Sequence, residues 1–232
     1  MRWRDWQEAL WTFLFPAFCF GCNEPVERRG EWCPSCEAKI LDVRQLPLNE
    51  ASSLDELWVI GDYRGVLRER MLEYKFSPYR RKMRFAFWRI LEKAAKRLVF
   101  LESEPAVCPI PLHEKRLKER GFNQGEEIFR NWAEKEQGLL WRPLLIRNRA
   151  TLVQSTIDNK ERRRKNIRGA FSFVDGVEMP QSVLLVDDIT TSGATLEEAA
   201  KVLKKSGVIK VMGLALASGA MLPEEEPEMQ KD

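Results

Sequence analysis

Histidine is almost absent from this sequence of 232 residues, because His113 is the only one. Zinc proteases of the HExxH type need two histidines on one helix, so that class of enzyme is excluded. A serine–histidine–aspartate triad would have to use His113, for which we favour a structural role. Stretches of about 18 consecutive apolar residues, the length that a membrane-spanning helix requires, are also missing. We therefore expect no transmembrane segment, and we expect the protein in the cytoplasm.

A large excess of either charge is missing as well. The chain has 38 Lys and Arg against 35 Asp and Glu, a net charge of +3, which excludes a polybasic protein of the histone kind. Residues 223–232 hold five acids and one lysine, so residues 1–222 keep 37 basic and 30 acidic groups, or +7. This charge is compatible with an anionic partner. Because 44% of the residues are hydrophobic, the chain can bury a core.

The N-terminus carries apolar residues at helical spacing: Trp3, Trp6, Leu10, Phe13 and Leu14. This spacing predicts a short amphipathic helix. The simplest interpretation is a helix that docks on its own protein. A helix that lies on a membrane surface or binds a partner is the alternative.

Four of the five cysteines, Cys19, Cys22, Cys33 and Cys36, form the pattern C-x2-C-x10-C-x2-C. Each C-x2-C pair can direct two thiolates at one ion, and four thiolates form the closed tetrahedral shell of structural Zn2+ sites. Two disulfides or a redox pair are the alternatives. A reducing cytosol opposes the disulfides, and the doubled pairing opposes the redox pair. We predict a zinc-ribbon lobe in which no position is left open for catalysis.

The rest of the chain alternates between strand and helix patterns. Strands are predicted at 57–61, 106–110, 183–186 and 208–217, and helices at 64–75, 81–99, 124–137 and 195–205. This alternation predicts an α/β protein with a parallel sheet and helices on both faces. We place the zinc-ribbon lobe and the N-terminal helix in residues 1–50, the α/β domain in 51–222, and an acidic tail in 223–232.

The segment VLLVDDITTSGAT, residues 183–195, carries the clearest chemistry. A buried strand leads to Asp187 and Asp188, and a turn rich in Thr, Ser and Gly then enters a helix. Backbone N–H groups at a helix start suit a phosphate, and Gly193 permits close approach of the ligand. Ribose hydroxyls or Mg2+ would satisfy the two acids. A receiver domain and a capped turn without a ligand are the alternatives, and a receiver would need many more residues after this strand.

This segment resembles the phosphoribosyl pyrophosphate (PRPP) motif of type I phosphoribosyltransferases. The resemblance implies that family's parallel sheet, with Mg2+–PRPP as ligand. It also implies that Asp187 and Asp188 hold the ribose. The residues implied for the 5′-phosphate are Thr190, Thr191, Ser192, Gly193, Ala194 and Thr195. Thr190 is a departure, because many members have an apolar or aromatic residue there.

Three further features resemble the ComF family, which includes ComFC and GntX-like proteins. Residues 109–124, PIPLHEKRLKERGFNQ, are similar to its P-x-P-L-x-x-x-R-x-x-x-R-G-F-N-Q signature. Arg163 and Asn166 match a second stretch, in which Gln154 lies about one residue from its expected place. A four-cysteine lobe before a phosphoribosyltransferase-like body matches too. The resemblance implies a role in handling single-stranded DNA during natural transformation, with other competence proteins as possible partners.

Two basic segments accompany this motif. Arg116, Lys118 and Arg120 are predicted on a loop after a strand, where they would suit the pyrophosphate of PRPP, although exposed cations are often only solvated. Asn123 and Gln124 would cap the next helix or contact the ligand.

Residues 160–168 contain six basic residues and one acid. Arg162, Arg163 and Arg164 at their centre would belong to a mobile loop that closes over PRPP, to a contact with the DNA backbone, or to a solvated turn.

Three functions are therefore open. The first is a PRPP-binding protein of the ComF type that acts on or near single-stranded DNA. The second is a phosphoribosyltransferase of nucleotide salvage. The third is a zinc-lobed adaptor with a vestigial phosphate site. Whether the chain is an enzyme is left open by the residues, which do not identify an acceptor base.

Overall fold

The computed structural model describes residues 16–76, 80–151 and 159–219. Three predicted features lie outside the described residues: the N-terminal helix, Gln154 and the acidic tail. The strands are β1 (Ala17–Phe18), β2 (Pro25–Val26), β3 (Arg44–Gln45), β4 (Glu56–Asp62), β5 (Ala106–Pro109), β6 (Leu145–Arg147), β7 (Phe171–Phe173), β8 (Ser182–Thr190) and β9 (Lys210–Ser218). The helices are α1 (Pro34–Ile40), α2 (Gly65–Phe76), α3 (Arg80–Ala95), α4 (Glu114–Arg120), α5 (Gln124–Asn131), α6 (Lys160–Ile167) and α7 (Ala194–Lys205). A 3-10 turn covers Val99–Ser103, and a π turn covers Trp132–Glu136.

A five-stranded sheet forms the centre of the fold, in the order β3-β4-β9-β8-β5. The pairs β4–β9, β9–β8 and β8–β5 are parallel, whereas β3 runs antiparallel to β4. The predicted parallel sheet is therefore confirmed for four strands, and a short antiparallel edge is added to it. Since parallel strands end at the same side, the carboxyl ends of β4, β5, β8 and β9 meet at one edge.

Both faces of this sheet are covered, as the continuous apolar strands predict. Along β8, Val183 and Leu185 point into one hydrophobic cluster, and Leu184 and Val186 point into the other. This alternation is the two-residue period of a strand. Helices α2, α3 and α5 contribute to the cluster on one side, and α6, α7 and the antiparallel pair β6–β7 contribute to the cluster on the other.

Two segments that were expected to be loops are helices. Residues 114–120, predicted as a loop, form α4, which begins where the His113 side chain accepts a hydrogen bond from the Lys115 N–H at 3.2 Å. The helix ends at Gly121, whose positive φ of 77° suits glycine. Residues 160–167 of the basic segment form α6, capped by Asn159, whose side chain accepts from the Glu161 N–H at 2.7 Å. His113 therefore has the structural role that we favoured.

The cysteine lobe shares a hydrophobic core with the rest of the chain. Cys19, Trp32 and Cys36 belong to the same buried cluster as residues of α2 and α3. The Trp32 indole N–H donates to the carbonyl oxygen of Ala86 in α3 at 2.8 Å. The end of α1 lies so close to β4 that a Cβ added at Gly61 would come within 2.1 Å of the Ile40 carbonyl oxygen. The predicted domain boundary near residue 50 falls between two paired strands, β3 and β4.

None of the helices in the described part of the chain is long and apolar enough to cross a membrane.

Candidate metal centre and phosphate cleft

The four cysteines of the C-x2-C pairs converge, as their spacing predicts. Their sulfur atoms all lie within 4.8 Å of one another. The Sγ atoms of Cys22 and Cys33 are 3.6 Å apart. A Zn–S distance of about 2.3 Å places two sulfurs of a tetrahedral site roughly 3.8 Å apart, so the cluster has the size of a zinc site.

Backbone groups of the lobe favour a thiolate at this cluster. The Sγ of Cys19 accepts from the N–H groups of Gly21 at 3.3 Å and Cys33 at 3.1 Å. Although burial acts to raise it, these backbone N–H groups, together with that of Cys22, lower the pKa of Cys19 to about 6. Burial raises the pKa of Cys36, which would lose its proton when a metal binds. Four sulfur donors fit Zn2+ in a closed, structural role.

The fifth cysteine has no part in this centre. Cys108 is fully buried in the core beside β8, and burial raises the pKa of its thiol to about 12. It behaves as a small apolar side chain.

A cleft lies at the carboxyl edge of the sheet, where β8 passes into α7. Asp187 through Thr195, all nine residues, line this cleft. Gly193 has a φ of 71° and precedes the first turn of α7, which no side chain of the described residues caps. The N–H groups at this helix start are therefore available to an anion, and the positive end of the helix dipole favours one.

The two acids at the end of β8 lie in a poorly solvated environment. Burial raises the pKa of Asp187 well above its usual range, and the neighbouring charge of Asp188 raises it further. The Asp187 Oδ1 accepts from the Asp188 N–H at 2.9 Å, and the Asp188 Oδ2 lies 3.8 Å from the Lys75 Nζ. Such a pair is stabilised by hydroxyl donors or by a divalent cation, so these residues fit both ribose and Mg2+.

Two of the three predicted pyrophosphate residues reach the cleft. Arg116 and Arg120 line it, one helical turn apart on α4. Lys118 does not, because residue 118 points away from that face of the helix. It is 75% exposed and pairs with Glu114 at 2.5 Å. The prediction that placed all three on one ligand-facing loop was wrong for Lys118.

Two charged residues of the cleft were missed by the sequence analysis. Lys75 comes from the last turn of α2, and Arg147 comes from the end of β6. Burial lowers the pKa of Arg147, while the charge of Asp187 acts to raise it. The buried Gln124 also lines the cleft, and its Oε1 has no hydrogen-bond partner among the described residues. Lysine and arginine are common on protein surfaces, so the sequence does not mark these two as site residues. Only the folding of α2 and β6 against the end of β8 brings them to the cleft.

Asn123 positions the helix that carries Gln124. Its side chain accepts from the Glu126 N–H at 3.4 Å and donates to the Ile110 carbonyl oxygen at 2.9 Å. It thus caps α5 and ties that helix to the end of β5. Of the two roles predicted for Asn123, the capping role is confirmed, and the residue also lines the cleft.

The predicted basic cluster lies elsewhere. Arg162, Arg163 and Arg164 are on α6, and none of them lines the cleft. Arg164 lines a separate groove between α6 and α7.

No family model matches the chain. Among curated proteins, it is 31% identical over 216 residues to Competence protein F of Haemophilus influenzae, which covers 88% of this chain and 86% of the relative. It is 29% identical to Competence protein ComFC of Streptococcus pneumoniae, covering 85% of this chain and 86% of the relative. It is also 28% identical to DNA utilization protein YhgH of Salmonella typhimurium, covering 83% and 86%. These similarities extend over most of each chain rather than over one motif.

Proposed function

The chain belongs to the ComF family of competence proteins, and from that premise we propose that it binds Mg2+–PRPP in the phosphate cleft and acts on incoming single-stranded DNA. The relatives support the second part of this proposal through their names, which refer to competence and to DNA utilization. The geometry of the cleft supports the first part.

The observation that carries the proposal is that one cleft gathers the N–H groups of a helix start, a pair of acids and two arginines. The N–H groups and hydroxyls of residues 190–195 suit the 5′-phosphate, and the acid pair suits the ribose hydroxyls. Arg116 and Arg120 lie on the same cleft and suit the pyrophosphate. This arrangement of cations and acids suits a sugar with phosphates at both ends.

Magnesium would be held by the ligand together with Asp187 and Asp188, and when bound it would neutralise charge on the pyrophosphate. The residues of the chain orient the ligand. The acids accept hydrogen bonds from ribose, and Lys75 balances the charge of Asp188. If phosphoribose is transferred, the guanidinium groups of Arg116 and Arg120 would stabilise the departing pyrophosphate.

The test is calorimetric titration of PRPP with Mg2+ into the wild type, Asp188→Asn and Asp175→Asn. Asp188→Asn keeps the side-chain shape but removes a charged acceptor for a sugar hydroxyl. This costs about 1.5–3 kcal/mol, or roughly 10- to 150-fold in affinity. Asp175 is exposed in a turn and does not line the cleft, so its variant should match the wild type.

The outcomes separate ligand, enzyme and adaptor. If the wild type gives no heat with PRPP at millimolar concentration, the cleft does not bind this ligand, and the adaptor function is favoured. If pyrophosphate is released only when one particular base is added, the protein is a transferase. If Asp188→Asn loses PRPP binding and DNA uptake together while no base accepts phosphoribose, PRPP acts as a ligand in DNA handling.

A further inference from the structure

A second groove runs along the outer side of α7, between this helix and α6. The two helices pack around the buried Ile167, and Ala194, at the start of α7, lines both this groove and the phosphate cleft. We call it the α6–α7 groove. Its cations are Arg164, Lys165, Arg168, Lys201 and Lys205.

The acids of the groove are held by other contacts. Glu197 accepts from the Ser52 hydroxyl at 2.7 Å and from the Ser53 N–H at 3.0 Å. Glu198 accepts from the Gly169 N–H at 2.7 Å. Lys201 is the one groove cation near them, at 3.9 Å from Glu197 and 3.7 Å from Glu198. These carboxylates therefore fix the loops beside α7 and leave most of the basic groups without a counter-charge.

The basic side chains of α6 are not used to cap the carbonyl oxygens at the end of this helix, because Arg149 does so. The Arg149 guanidinium donates to the carbonyl oxygens of Asn166 and Arg168, at 2.8 and 2.7 Å, at the end of α6. Within the described residues, no carboxylate forms an ion pair with Arg164, Lys165 or Arg168.

Like charges also lie one helical turn apart. Lys201 and Lys205 have this spacing within α7, and Arg164 has it from Arg168, the residue that follows α6. Like charges four residues apart on a helix cost about 0.2–0.5 kcal/mol per pair. A bound polyanion would remove this cost.

We propose that the α6–α7 groove binds the phosphodiester backbone of single-stranded DNA, an inference that rests on the proposed role in DNA handling. No aromatic side chain of the described residues lines the groove, so it offers no platform for stacking bases. Contacts are made with phosphates, and binding is indifferent to base sequence and weakens as salt is added.

The rival surface is a cleft between the cysteine lobe and α3. It contains the cations Arg89, Lys93, Lys96 and Arg97, but four glutamates line it as well. Lys93 pairs with Glu37, and Arg89 pairs with Glu92 at 3.0 Å. This cleft is close to charge balance, which makes it a suitable control surface.

The experiment measures fluorescence anisotropy of a labelled oligothymidine over a range of salt concentrations. Lys201→Gln/Lys205→Gln is compared with the matched pair Lys96→Gln/Arg97→Gln, which removes the same charge from the rival cleft. For single strands, each lost phosphate contact reduces the slope of the log binding constant against log salt concentration by about 0.7. The slope of the groove variant should therefore be about 1.4 smaller in magnitude than that of the wild type. Lys201→Arg/Lys205→Arg should restore binding, and every variant should keep the PRPP affinity of the wild type.

The result separates the inference from the function on which it rests. If the wild type binds the oligomer and the groove variant binds it equally well with an unchanged slope, the groove inference is wrong and the DNA role stands. The same holds if only the Lys96/Arg97 variant loses binding. If the wild type does not bind the oligomer at any salt concentration, the DNA role itself fails.

Discussion

Asp187 illustrates how a residue that we propose to bind a ligand can be unfavourable for the fold that carries it. Burial and the neighbouring Asp188 raise its pKa, so the folded protein holds this proton more tightly than the unfolded chain does. The folded state therefore loses stability as the pH rises through the raised pKa. A ligand that supplies hydroxyl donors or a cation would recover that loss.

Asp187→Asn should accordingly stabilise the ligand-free protein while weakening PRPP binding. Asparagine keeps the Oδ1 that accepts from the Asp188 N–H but has no charge to desolvate. We expect thermal melts to show a higher Tm for the variant than for the wild type, with a larger difference at pH 8 than at pH 5. A difference independent of pH, or a variant that is less stable at pH 8, would show that Asp187 does not carry this cost.

The proposed phosphate site also shows which kind of site residue can be predicted from a sequence. Asp187 to Thr195 are consecutive, so one strand, one turn and one helix start predicted them together. Lys75 and Arg147 reach the same cleft from α2 and β6, and their neighbours at the site are far away in the sequence. Their position depends on the packing of the whole sheet, which no local pattern contains.

At the scale of elements, the two basic segments that were expected to be loops and are helices, α4 and α6, share one property. Helix α4 has no buried residue, and Ile167 is the one buried residue among those of α6 whose side chains the structure describes. Helical periodicity is visible only when a helix buries an apolar stripe. Both helices are instead fixed by their caps, from His113 and Asn159, and by the tertiary contacts of a few side chains.

The orientation of α4 gives a prediction that a loop would not give. Arg116→Gln and Arg120→Gln should each lower the affinity for PRPP by roughly 10- to 150-fold, the range for loss of a hydrogen bond to a charged group. Lys118→Gln, which removes the same charge from the opposite side, should bind as the wild type does.

Ribose 5-phosphate provides the control, because it lacks the pyrophosphate. Its affinity, measured by calorimetry, should be unchanged in all three variants. Equal losses for both ligands would mean that α4 supports the fold of the cleft and does not contact the pyrophosphate.

For the whole molecule, the shared core connects the candidate metal centre to the proposed phosphate cleft. Trp32 and Cys36 of the lobe pack in one cluster with Leu67 and Met71 of α2. The last turn of the same helix carries Lys75 to Asp188. Loss of zinc from the lobe should therefore disturb the packing of α2 and, through it, the position of Lys75 in the cleft.

Removal of zinc by a chelator should lower both the stability of the protein and its affinity for PRPP. A loss of about 3 kcal/mol, the scale of removing a structural cross-link, corresponds to a decrease in Tm of roughly 6–12 °C for a chain of this size. Zinc added back should restore both quantities, as measured by thermal melts and calorimetry. A lower Tm with unchanged PRPP affinity would show that the two sites are independent.

The antiparallel strand β3 has a consequence for any attempt to separate the two predicted domains. Next to it, the N–H groups of Asp42 and Leu46 donate to the carbonyl oxygens of Ile60 and Leu57, at 2.9 and 2.7 Å, along the edge of β4. A fragment that starts at residue 51 would leave this apolar strand with unpaired backbone groups. Open edges of this kind recruit strands from other molecules, so residues 42–46 protect the sheet from self-association and aggregation.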